Sequence, residues 1–128
     1  IEREPLPFAD ATFDEVLFNE VFEHLRIDPP FTVAEILRVL RPGGRLWLST
    51  PNLLSLRGWI NLVVRQEAWS VSGGGVYRQY QPLRRNEPVL HVREYTGPEI
   101  RDFLRAAGFD VLALEYRGRF SNPAARAV

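Results

Sequence analysis

The sequence predicts an α/β fold: a mostly parallel sheet with flanking helices. Three observations predict it. A short run of aromatic and β-branched residues spans Phe13 to Asn19. A helical stripe then runs to Arg41 and is closed by Pro42-Gly43-Gly44. A second apolar run follows at Arg45 to Thr50. Strand, helix, glycine turn and strand thus succeed one another within about 35 residues, the order and length of a right-handed βαβ unit with parallel strands.

Composition narrows the function. The 128 residues are one domain's worth of chain. Sixteen basic residues, all Arg, balance sixteen acidic ones, so nothing in the net charge draws the chain to nucleic acid or anionic lipid. Hydrophobic residues at 45% and aromatics at 12% exclude a disordered chain. No apolar run approaches the roughly 20 residues that span a bilayer. The opening Ile1-Glu2-Arg3-Glu4-Pro5 has no signal-peptide pattern. Cysteine is absent, which excludes disulfides and thiolate chemistry and fits a cytoplasmic location. No internal repeat is visible.

Each element has its own signal. Residues 1–12 read as loop, broken by Pro5 and Pro7. Glu15 to Phe18 reads as a buried strand. Asn19 to Arg26 has room for a short helical turn. Thr32 and Glu35 have capping-box spacing, with Ile36, Leu37 and Leu40 on one face of the helix that follows. Arg41 suits its last turn, and Pro42-Gly43-Gly44 stops it. After the second strand, Asn52 is a candidate cap for a helix over 53–64, with Leu53, Leu56, Ile60, Val63 and Val64 at helical spacing. Residues 66–90 lose all periodicity and hold Gly73-Gly74-Gly75, Pro82 and Pro88, with Arg78, Arg84 and Arg85. So long an unpatterned stretch is expected to be a lid or acceptor loop. Thr96 and Glu99 form the best capping box in the chain, ahead of a stripe of Ile100, Phe103, Leu104 and Ala107 and a terminating Gly108. Phe109 to Tyr116 reads as a third strand.

In an open parallel sheet, ligands bind beyond the carboxyl ends of the strands. Those ends are Phe18-Asn19-Glu20 and Ser49-Thr50-Pro51-Asn52. Asn19 and Asn52 therefore stand either as ligand-facing groups or as plain turn and cap residues.

Four segments in order resemble class I S-adenosylmethionine-dependent methyltransferases of the type 11 or 23 kind. Leu6-Pro7-Phe8-Ala9-Asp10-Ala11-Thr12-Phe13-Asp14 resembles the family's entry to its fourth strand. Glu20-Val21-Phe22-Glu23-His24-Leu25 resembles the segment after that strand. Glu35 to Leu46, with its Pro-Gly-Gly turn, is similar to the next helix and fifth strand. His91 to Thr96, then Ala107-Gly108-Phe109, resembles the late helix and the strand after it. The resemblance covers roughly residues 1 to 116 and implies a partial Rossmann-like methyltransferase fold. It is closest to the branch acting on small molecules, lipids or cell-surface sugars. The family's Gly-rich cofactor loop and the acidic end of its second strand have no counterpart here. Gly73-Gly74-Gly75 does not join a strand to a helix and is no substitute. The resemblance thus implies the carboxyl-terminal half of one domain, inactive alone, with one strand edge unpaired and prone to aggregation.

The implied cofactor is S-adenosyl-L-methionine, and the implied acceptor a small molecule, lipid or glycan. By the same resemblance, Glu2 and Arg3 would contact the adenine, and Phe18, Asn19 and Glu20 the sulfonium and amino-acid end. His24 and His91 are the candidate catalytic bases, since an unperturbed imidazole titrates near pH 6.5. Each has an alternative role as a hydrogen-bonded structural histidine. Two histidines so distant in sequence do not suggest a metal site. Two other functions remain open: a methyltransferase-like scaffold that binds no cofactor, and a nicotinamide-dependent Rossmann enzyme whose Gly-rich fingerprint is missing.

Overall fold

A computed structural model describes residues 1–69, Tyr77 and 91–117. The expected lid or acceptor loop at 66–90, with its glycines and arginines, lies almost wholly outside the described residues.

Two parallel strands form the frame: β1, Phe13–Asn19, and β2, Leu40–Ser49. The pairing runs Val16 with Leu46, Leu17 with Trp47, Phe18 with Leu48 and Asn19 with Ser49. Alternation along the strands sorts their side chains. Val16, Phe18, Leu46 and Leu48 join the core, whereas Leu17 and Trp47 face outward and are 70% and 49% exposed. The first strand is therefore buried on one face only, not on both as its apolar run suggests.

The crossover helix α1 spans Pro29–Val39 and starts earlier than its sequence pattern indicates. Asp28 is the N-cap, accepting from the Phe31 backbone N–H at 2.8 Å. Pro29 and Pro30 occupy the first turn, where a missing N–H costs nothing. Thr32 is thus a buried helix residue rather than a cap, its hydroxyl donating to the Asp28 carbonyl at 3.2 Å. The helix ends at Val39 and the chain enters β2 directly. Pro42-Gly43-Gly44 consequently lies inside β2 and shifts its register against β1, instead of terminating the helix. Gly43 takes φ +79°, and a Cβ on Gly44 would stand 2.9 Å from the Arg41 carbonyl and 3.0 Å from that of Asp14.

The expected 53–64 helix is shorter and differently capped. Helix α2 covers Leu56–Ile60, capped by Ser55, and passes into a π turn at Asn61–Arg65. Asn52 instead closes a local turn, accepting from the Leu54 N–H. The apolar stripe of α2 and the π turn does not pack: Leu56, Ile60, Val63 and Val64 are all exposed. Helix α3, Gly97–Ala106, follows its sequence pattern. Thr96 and Glu99 make the reciprocal capping box, and Gly108 leaves the helix at φ +97°. Ile100 is buried, with Phe103, Leu104 and Ala107 packed on the core of Phe18, Phe22, Leu25, Val33, Ile36 and Leu40. Residues 109–116 do not form the expected strand. A strand needs a neighbour for its N–H and C=O groups, and none among the described residues pairs with it. Leu112 is accordingly 84% exposed.

Candidate functional site

The parallel register puts the carboxyl ends of β1 and β2 side by side. Asn19 faces Ser49 across the ladder, and Asn52 lies three residues further on at the same end. Glu20 turns the chain away at φ +54°. Its N–H donates to the Ser49 carbonyl at 2.9 Å, and its carboxylate accepts from the Ser49 hydroxyl at 2.9 Å. Asn19 and Glu20 are both exposed at this rim, while the Phe18 side chain lies in the core. Phe18 therefore offers the rim only its backbone.

A 3₁₀ turn, Phe22–His24, follows. Phe22 anchors it: the ring is 1% exposed and meets Tyr95 and Phe103 edge-on, centroids 5.0 and 5.1 Å away. This fixes Glu23, whose side chain is fully buried. The Glu23 carbonyl accepts from the Val92 N–H at 2.8 Å, drawing the 91–95 segment across the rim. The same segment touches the loop after β2, where the Leu53 N–H donates to the Tyr95 carbonyl. Glu23 Oε2 accepts from the Thr50 hydroxyl at 3.0 Å, and Oε1 has no hydrogen-bond partner.

His24 and His91, 67 positions apart in sequence by their numbers, meet here with ring centroids 5.0 Å apart. Their separation in sequence does not keep the two rings apart. His91 Nδ1 lies 3.2 Å from Glu94 Oε1, and Glu94 is itself buried. Beside them, Arg93 stacks over the Tyr95 ring at 4.9 Å and pairs with Glu99 at 2.6 Å. Burial pushes the Tyr95 phenol up from its ordinary pKa.

Glu2 sits elsewhere. Its Oε2 accepts from three consecutive backbone N–H groups, Arg26, Ile27 and Asp28, at 2.9, 2.5 and 2.9 Å. That oxygen clasps the loop leading into α1. Glu2 and the exposed Arg3 line an open depression with Ile1, Glu4, Arg26 and Ile27. Sequence reasoning missed Glu23, Thr50 and Glu94. The two glutamates stand one and three positions from the singled-out histidines, but spacing alone does not reveal that a carboxylate is buried.

A family profile described as a methyltransferase domain matches residues 2–48, from Glu2 through β1 and into β2 as far as Leu48. A probable S-adenosylmethionine-dependent methyltransferase of Mycolicibacterium smegmatis is 34% identical over 108 residues, covering 83% of this chain and 32% of the relative. The chain belongs to the class I S-adenosylmethionine-dependent methyltransferases. The malonyl-[acyl-carrier protein] O-methyltransferase of Methylococcus capsulatus is 31% identical over 118 residues, 91% of this chain and 35% of that one. The chain thus spans about a third of the length of the curated relatives it matches. A Thermotoga maritima structure, titled a SAM-dependent methyltransferase and possible histamine N-methyltransferase, shares the fold. It superposes with a TM-score of 0.56 at 21% identity, over 84% of this chain and 42% of that one. The fold is accordingly a partial Rossmann-like methyltransferase fold, and the family's cofactor is S-adenosyl-L-methionine. Among the described residues, no helix is long and apolar enough to cross a membrane.

Proposed function

We propose that this chain carries part of the cofactor rim and the acceptor side of an enzyme that transfers a methyl group from S-adenosyl-L-methionine to a small-molecule, lipid or glycan acceptor. The observation that carries the reading is the convergence of Asn19, Glu20, Glu23, His24 and His91 at one end of a parallel sheet. Methyl transfer from a sulfonium asks for in-line alignment and exclusion of water more than for covalent chemistry. Such orientation supplies roughly 7–11 kcal/mol in favourable systems.

The carboxylate and amide oxygens of Glu20 and Asn19 suit the positively charged sulfonium and ammonium groups of the donor. Backbone carbonyls around Phe18 add to the same field. Glu2 and Arg3 are assigned to the adenine end, with Glu2 Oε2 already holding the loop before α1. On the acceptor side, His91 held by Glu94, with His24 beside it, is placed to take the proton that an acceptor hydroxyl or amine loses. The exposed apolar side chains of α2 follow the rim directly in sequence and favour an acceptor with an apolar portion.

Titration calorimetry of the full-length protein with S-adenosyl-L-methionine tests the reading. Stoichiometric binding that weakens in Asn19→Ala and Glu20→Ala is expected. Absence of binding would leave a methyltransferase-like scaffold in place of an enzyme.

A further inference from the structure

The buried Oε1 of Glu23, without a hydrogen-bond partner, faces two imidazoles. His91 Nε2 stands 3.9 Å from it and His24 Nε2 4.0 Å. The far nitrogen of His91, Nδ1, lies 3.2 Å from the Glu94 carboxylate. In the tautomer that donates from Nδ1 to Glu94, Nε2 is the nitrogen left with a lone pair for a ligand. Nε2 and Glu23 Oε1 stand 3.9 Å apart, too far for a hydrogen bond. A buried carboxylate oxygen and two imidazole nitrogens at such spacing can hold a cation between them.

We propose that Glu23, His24 and His91 form a mononuclear site for a divalent transition-metal ion of the zinc type. Their donor atoms all lie within 4.8 Å of one another. Bonds of about 2.0–2.2 Å to nitrogen and oxygen draw tetrahedral ligand atoms to roughly 3.3 Å apart. The distances to Glu23 therefore close by less than about 1 Å on binding. His24, 39% exposed in its side chain, is the ligand with room to move. Glu94 supplies the carboxylate that orients a metal-bound imidazole and raises its basicity. Two imidazoles and one carboxylate favour zinc-like ions over magnesium or calcium, which prefer all-oxygen sites.

Three protein ligands leave one coordination position open at the rim. Its use by an acceptor oxygen or nitrogen rests on the methyl-transfer reading; the binding site itself does not. With the ion bound, the imidazoles would act as ligands, the ion would acidify a coordinated acceptor and its proton would pass to solvent; His91 serves as base only without the ion.

The test is calorimetric titration of the chelator-treated full-length protein with zinc chloride, and separately with magnesium chloride. One zinc per chain is expected, with magnesium at least about 100-fold weaker. His24→Ala and Glu94→Gln are each expected to weaken zinc binding about 10–100-fold. Circular dichroism confirms that each variant folds. Imidazole ¹⁵N NMR of the unaltered protein needs no variant, and zinc should shift the Nε2 resonance of His91. Absence of stoichiometric zinc binding overturns the proposal, as does binding that persists undiminished in both His24→Ala and His91→Ala. An Nε2 resonance that zinc leaves in place overturns it as well. A parallel titration of the chelated protein with S-adenosyl-L-methionine keeps the two readings apart, since donor binding can fail while zinc binding stands.

Discussion

The two ends of the same small sheet are built on opposite terms. At the amino end, two arginines, Arg38 and Arg41, have found their acceptors. Arg38 donates to Glu35, to Asp10 and to the backbone carbonyls of Leu6 and Phe8. Arg41 grips both carboxylate oxygens of Asp14 at 2.7 Å. These contacts tie the 1–12 loop and β1 to the crossover. At the carboxyl end, Glu23 is buried with one oxygen unpaired, and Asn19 and Glu20 stand exposed. An unsatisfied buried polar atom costs about 1–3 kcal/mol, so it persists where a ligand or ion can meet it. The difference teaches that one end is tied down by its own contacts while the other leaves polar groups open, at the edge where parallel sheets generally place ligands.

The contrast can be broken most directly at Phe22. Although it lies at the open end, its ring is buried against Tyr95 and Phe103. Phe22→Ala is expected to cost about 3–5 kcal/mol in denaturant unfolding. A loss below about 1 kcal/mol would mean that charge pairing, not this ring, holds the rim.

A smaller effect sharpens the division of labour. Asn19→Ala should weaken binding of S-adenosyl-L-methionine by about tenfold, or about 1.4 kcal/mol, with an unchanged melting temperature. Arg38→Ala should do the reverse, lowering the melting temperature and leaving the folded protein's donor affinity intact. If both variants lose affinity equally, the two ends are not separate in function.

Thr96→Ala sits outside both ends and calibrates them. Loss of a threonine cap costs about 0.5–2 kcal/mol. The Glu99 N–H to Thr96 Oγ1 distance is 3.4 Å, which places the expected loss near the lower bound. Urea unfolding measures it, and a cost comparable to Phe22→Ala would show that α3 is the weakest point of the core.

Local chemistry made some of this legible in advance. The capping box at Thr96 and Glu99 lies within four residues and depends on no distant partner, so it is read directly. The parallel strands followed from the intervening helix. The start of α1 is not legible in sequence because Asp28, Pro29 and Pro30 cap as well as Thr32 would, and only burial of Thr32 decides between them. Residues 109–116 have strand-like composition, yet a strand is defined by its neighbour rather than by its own sequence. The site shows the same limit. Asn19, Glu20, His24 and His91 stand out as residue types at strand ends or in motifs. Glu23 and Glu94 become visible only when the fold buries both carboxylates around one pair of imidazoles.

The smallest expected effect is a dependence of stability on acid, carried by one carboxyl at the satisfied end and one in the α3 cap outside both ends. The Arg38 hydrogen bond holds the Glu35 carboxyl below its ordinary value, with help from the Leu6 N–H and against the opposing effect of burial. The Thr96 N–H does the same for Glu99, with Arg93 adding to it and burial again opposing. A carboxyl whose folded pKa lies below its unfolded value, about 4.3 for Glu, contributes stability above that value. The contribution fades as pH falls through the folded pKa, where both states are protonated. Stability should therefore drop on acidification below the ordinary carboxylate range. Glu35→Gln and Glu99→Gln should each be less stable than the unaltered protein at neutral pH, with the gap narrowing toward low pH. Urea midpoints measured across that range decide the matter. A gap that stays constant with pH would mean that shape and packing, rather than ionised hydrogen bonds, hold the amino end and the α3 cap in place.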